Sequence, residues 1–176
     1  MSDDALRYPI GKPQLRAPLS PEDRVVMINE MERFPSRLRN TVEQMSDQQL
    51  DTPYRDGGWT VRQVIHHVPD SHMNGYIRFK LAVTEDVPTV RGYEEQVWAE
   101  LTEARTGDIE LSLPILESLH QRWVAFLRFL EPGDFARTLK YSDGRTMTVD
   151  ELLCIYSWHG AHHLAHITAL MQRQGW

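Results

Sequence analysis

The sequence predicts an all-α fold, a four-helix bundle with an extended N-terminal arm, as a single domain over residues 1–176. Three observations predict it. Four long segments carry apolar residues at the 3.6-residue spacing of amphipathic helices. Three of those segments open on helix-start signatures. Strand signals between them are few, and four amphipathic helices bury their stripes most simply against one another.

The stretch to Leu19, with Pro9, Pro13 and Pro18, reads as an extended arm lying on the surface or on a partner. Ser20-Pro21-Glu22-Asp23 then combines a capping hydroxyl, proline at the first helical position and acids in the first turn. Val25, Ile28, Met31, Leu38 and Val42 carry that first helix on, with Pro35 expected to kink or break it. Thr-Pro-Tyr-Arg-Asp-Gly-Gly-Trp before Thr60 is turn chemistry, and Thr60 with Gln63 forms a capping box for a second helix running to about Glu85, bent by Pro69. A short helical piece is expected around Gln96 to Leu101. The third helix spans Ser112 to Leu130 on Ile115, Leu119, Trp123, Leu127 and Leu130. Tyr141 to Thr146, with Asp143-Gly144 at its centre, is either a short hairpin or a loop. Thr148 with Glu151 is a second capping box, and the last helix runs nearly to Trp176.

Composition narrows the function classes. A hydrophobic share of 41% over 176 residues supplies a core without a disulfide or a structural metal. A formal charge of −6 argues against a nucleic-acid partner, DNA repair included. No apolar run approaches the roughly 20 residues of a membrane span. One cysteine, Cys154, and a first segment unlike a secretory signal make the cytoplasm the expected compartment. Cys154 is expected to pack as a small hydrophobe.

Eight histidines are the unusual feature. Seven fall in two windows: His66, His67 and His72, then His159, His162, His163 and His166. Residues four apart on a helix lie about 40° apart, so one pair can reach one ion. His159 and His163 have that spacing, and Leu152, Ile155 and Tyr156 continue their stripe into the core. His162 and His166 have it too, and the helical wheel leaves both pairs open. A further ligand must come from the second helix, where His67 shares a face with Thr60, Asp70, Asn74 and Arg78. Buried imidazoles without partners are unfavourable, and a cation that takes up their lone pairs resolves the cost. The eighth histidine, His120, is expected at the surface of the third helix.

The block from Asp51-Thr52-Pro53-Tyr54-Arg55-Asp56-Gly57-Gly58-Trp59 through His67 and Asp70-Ser71-His72-Met73-Asn74 resembles the YfiT-like branch of the DinB-like superfamily. Trp158-His159 to His163 and Ala165-His166-Ile167 resemble it too, as does Tyr8-Pro9-Ile10-Gly11. The resemblance implies a four-helix bundle, usually dimeric, with one divalent metal ion per subunit on His67, His159 and His163. It implies a metal-dependent hydrolase, or a transferase of a low-molecular-weight thiol such as bacillithiol, acting on small molecules. Three imidazoles with an open position are the pattern of a catalytic ion, zinc or nickel, that activates water or thiol. Asp70 or Asn74 is then expected to orient a ligand or the nucleophile, and Arg78 to hold an anionic group; an Asp70 and Arg78 ion pair is the plainer alternative. A non-catalytic metal-binding or stress-response dimer is the competing function. The rear stripe Leu153, Gly160, Leu164, Ile167 and Met171 is also apolar, as expected of a helix that is centrally buried or lies at a homodimer interface.

Overall fold

The structure, a computed structural model, describes residues 3–176. The arm opens on a short helix rather than an extended run, α1 (Asp3–Arg7), whose Arg7 pairs with Asp3 one turn back. Residues 8–19 then lie along the last helix. Trp158 Nε1 donates to Gly11 O at 3.0 Å, and the amide of Leu19 donates to Asp150 Oδ2 at 2.9 Å. Asp150 is 1% exposed, and the two-pronged contact from Arg24, at 2.8 Å for each bond, supplies the partner that a buried carboxylate requires.

Helix α2 (Pro21–Val42) starts as its sequence dictates, with the Ser20 hydroxyl accepting from Asp23 N. It continues unbroken through Pro35, which is buried among the packed side chains of the bundle, so the expected break does not occur. What Pro35 does remove is the amide that would have bonded Met31 O four residues earlier. A one-turn helix α3 (Asp47–Leu50), with its own capping box of Ser46 and Gln49, precedes α4 (Val61–Thr84), which opens on the box of Thr60 and Gln63 and also runs through its proline, Pro69. Strand β1 (Thr89–Val90) and the short helices α5 (Glu95–Ala99) and α6 (Thr102–Thr106) lead to α7 (Leu113–Arg128). Strands β2 (Thr138–Tyr141) and β3 (Thr146–Thr148) form the hairpin around Asp143-Gly144, with Gly144 at φ 95°, and β1 adds to β2 in parallel. Helix α8 (Val149–Gln174) begins at the Thr148 and Glu151 box and ends at Gly175 in the left-handed conformation.

Helices α2 and α4 each pack against both α7 and α8, which puts α2 diagonally across from α4. Two apolar clusters fill the bundle. One is built around Phe79, Trp123, Leu152 and Leu153, the other around Leu38, Val64, Leu113, Leu116 and Ile167. The rear stripe of α8 belongs to this interior: Leu153, Gly160, Leu164 and Ile167 are buried, and the Phe34 ring of α2 lies against Gly160. That face is therefore filled by the chain's own helix. On α7 the buried stripe is Leu113, Leu116, His120, Trp123 and Leu127, whereas Ile115 is exposed. His120 is thus 1% exposed, not a surface residue, because the seam that buries it runs one step round the helix from the one the spacing suggested. Cys154 is buried as expected. No helix of the described residues is long and apolar enough to cross a membrane.

Gly75 shows how tightly α4 meets its neighbours. A Cβ there would lie 2.5 Å from Tyr156 Cε1 and 2.8 Å from Trp123 Cη2, both rigid rings in the interior. Gly75→Ala is expected to destabilise the fold by about 2 kcal/mol through overpacking, despite the better helix propensity of alanine. A thermal melt should fall by roughly 4–8 °C for a chain of this size.

Candidate metal centre

Helix α4 delivers His67 and helix α8 delivers His159 and His163, each carried by the regular pitch of a helix whose start is fixed by a capping box. Each offers a ring nitrogen, and the three lie within 4.8 Å of one another. His67 Nε2 is 3.3 Å from His159 Nε2. Two nitrogens bound tetrahedrally to one ion at 2.0–2.1 Å stand about 3.3 Å apart, so that separation fits a shared cation. The Nδ1 atom of His163 is buried with no hydrogen-bond partner among the described residues. A cation accepted by the cluster would relieve the cost of grouping buried imidazoles. Burial lowers His67 to a pKa of about 4, and burial together with the neighbouring imidazoles holds His159 and His163 well below their ordinary value. All three are therefore neutral at pH 7 and keep the lone pairs that ligation needs.

The competing pair is held otherwise. His162 stacks on Trp158, ring centroids 4.1 Å apart, and His166 stacks on Tyr54 at 4.0 Å while donating from Nε2 to Arg7 O at 3.0 Å. His66 bonds Ser112 Oγ at 2.7 Å and reaches Gly107 O at 3.2 Å, tying α4 to the loop before α7. His72 lies on the inner side of the site, with its Nε2 3.0 Å from His159 Nδ1.

The three-histidine cluster opens into a cleft of about 740 Å³. Trp59, just ahead of the α4 cap, forms one wall, its ring centroid 4.6 Å from that of His67. Arg78 lines the cleft, donating to Tyr156 OH at 3.0 Å and to Arg91 O at 3.1 Å rather than to Asp70. Asp70 and Asn74 are not among the lining residues: Asn74 spends its amide on Asp70 O of its own helix, and burial together with Glu103 raises the Asp70 carboxyl to about 6. Ser71 takes the place on that face that the sequence reading gave to them. Its Oγ is 3.5 Å from His159 Nε2. Ser71 follows His67 by one helical turn, and that spacing was the signal available for it. Tyr93 comes from the segment after β1, where no periodic pattern could have announced it.

A helical bundle with three imidazoles converging from two helices defines a class, and residues 30–167 match the DinB superfamily, to which this chain belongs. Within it the chain is 49% identical to YfiT of Bacillus subtilis, over all of this chain and 99% of that protein. OB0782 of Oceanobacillus iheyensis is also 49% identical, over 97% of this chain and 98% of its own. Both relatives carry the provisional name of metal-dependent hydrolases. The solved structure of Bacillus subtilis YfiT, described as a probable metal-dependent hydrolase with an unusual four-helix bundle topology, superposes with a TM-score of 0.96 over 98% of this chain and 99% of that one. The four-helix bundle is thus common to both.

Proposed function

We propose that this chain is a metal-dependent enzyme of small molecules, in which His67, His159 and His163 hold one divalent ion, zinc or nickel. The observation that carries the proposal is the convergence of three neutral ring nitrogens at the wall of a large cleft. When bound, such an ion supplies an activated water or thiol at neutral pH. The chain's own groups supply the rest. Trp59 shields the histidines on one side and offers an aromatic face to a substrate. The Tyr93 hydroxyl lines the cleft and, with its pKa raised by burial, stays protonated as a donor to charge that develops on the substrate.

Arg7, Arg55, Arg78, Arg91 and Arg145 line the cleft against Glu94, Glu95 and Asp143. Asp3 pairs with Arg7 and Arg55, and Asp143 with Arg145, which leaves Arg78 and Arg91 to favour a substrate or co-substrate bearing carboxylate or phosphate in a chain of net charge −6. An anionic low-molecular-weight thiol such as bacillithiol meets that description. The family resemblance supports a homodimer.

Metal-loaded protein should turn over bacillithiol with a reporter electrophile, or hydrolyse simple esters or amides, and lose the reaction when a chelator removes the ion. Stoichiometric ion binding with no metal-dependent turnover of either kind would leave only the non-catalytic alternative. Arg78→Met is expected to raise KM for an anionic substrate roughly tenfold, the worth of one charge-assisted bond, with a smaller change in kcat. An unchanged KM would take Arg78 out of substrate recognition.

A further inference from the structure

A line of imidazoles crosses the bundle between its two apolar clusters. His159 Nδ1 on α8 is 3.0 Å from His72 Nε2 on α4, His72 Nδ1 is 2.7 Å from His120 Nε2 on α7, and His120 Nδ1 is 2.6 Å from Met31 O on α2. His72 is wholly buried and His120 is 1% exposed, with Phe34, Trp123 and Tyr156 packed around them. Leucine or phenylalanine at either position would serve the core at no polar cost, so two imidazoles here need a reason.

The carbonyl at the end of the line gives it a direction. Met31 O is available because Pro35 has no amide to bond it. A carbonyl only accepts, so His120 carries its proton on Nδ1 and presents a lone pair at Nε2. His72 must then donate from Nδ1, which leaves its own Nε2 as an acceptor. His159 donates from Nδ1 in turn, and its one remaining lone pair, on Nε2, is the one beside His67 Nε2.

We infer that His72 and His120 are positioning residues, which together with Met31 O fix His159 in the tautomer and ring orientation that aim Nε2 at the ion. The inference rests on the metal site proposed above. An imidazole that donates its other N–H to a fixed acceptor is held in place and made a better ligand. No other ligand here has such a line behind it among the described residues: His163 Nδ1 has no partner at all. His159 is thus the preorganised ligand of the three, set by residues that touch neither substrate nor ion.

Long-range nitrogen–proton NMR correlations on metal-free wild-type protein read the tautomers directly. The expected result is a proton on Nδ1 of His159, His72 and His120. A proton on Nε2 of His72 or His159, or a mixture at either, would overturn the inference, and needs no variant that has to fold. His72→Phe should release His159 into a mixture of tautomers and weaken zinc binding, measured by chelator competition, roughly 10–100-fold. His72→Gln, whose amide can accept from His159 and donate to His120, should recover most of that loss. A folded His72→Phe protein that binds zinc as wild type does would also overturn it. Failure of the wild-type chain to bind any divalent ion refutes the metal site instead, and leaves the tautomer measurement to stand separately.

Discussion

His163→Ala abolishes the rise in melting temperature that a divalent ion gives the wild-type chain. An ion at a hundredfold excess over its dissociation constant stabilises the folded state by about 2.7 kcal/mol, or roughly 5–11 °C for a domain of this size. Removing one of three imidazoles leaves two, too few to hold the ion tightly, and the ion-dependent increment disappears. His67→Ala and His159→Ala should behave alike, because their nitrogens belong to the same cluster. His162→Ala and His166→Ala should keep the increment, since those rings are committed to Trp158, Tyr54 and Arg7 O. Comparing each variant with and without the ion cancels whatever the substitution costs the metal-free fold. An increment that survives in all three ligand variants, or vanishes in the His162 and His166 variants, would move the site elsewhere.

Acid destabilises the metal-free protein above the ordinary carboxylate range. Burial pushes His67 and His120 down to a pKa of about 4, whereas the same side chains in the unfolded chain have the ordinary value of 6.5. Above pH 6.5 neither state holds the proton and these groups contribute nothing to the pH dependence. Between pH 6.5 and 4 the unfolded state takes up protons that the folded state refuses, so stability falls as the pH falls. At pH 5 the two groups together cost about 4 kcal/mol, a large part of the roughly 5–15 kcal/mol that a domain has, and the Asp70 carboxyl, raised to about 6, acts in the opposite direction and offsets part of that loss. His72, His159 and His163, held well below 6.5 by burial and by one another, act in the same direction as His67 and His120. Urea unfolding in the presence of a chelator should therefore give a much lower stability at pH 5 than at pH 7.5. Equal stability at the two values would mean that the histidines are not buried as the fold has them.

The helices were legible because their starts are written in single side chains. Thr60 with Gln63 and Thr148 with Glu151 form the reciprocal caps that their spacing implies. The histidine stripe of α8 was legible for the same reason, since a four-residue spacing on a capped helix fixes direction. It did not separate His159 and His163 from His162 and His166, whose partners come from Trp158, Tyr54 and the arm, distant in sequence or set by ring stacking. His120 was misjudged because α7 is apolar on adjacent seams, and only packing against α2 and α4 selects the one that contains it. Pro35 looked like a break, but a proline costs a helix less where the freed carbonyl finds another donor, and here that donor is His120. Strand β1, two residues long, carries no period to read. The cleft's arginines are scattered from Arg7 to Arg145, and only the folded chain brings them to one opening.

The claim on which the chemistry depends is that α4 and α8 share one ion. X-ray absorption at the metal edge, on untagged protein loaded with one equivalent of zinc, reports the ligand shell directly. The expected shell is three imidazole nitrogens at about 2.0–2.1 Å and a remaining position open to solvent or substrate. A shell with fewer than three imidazoles, or one dominated by sulfur or carboxylate oxygen, would contradict it.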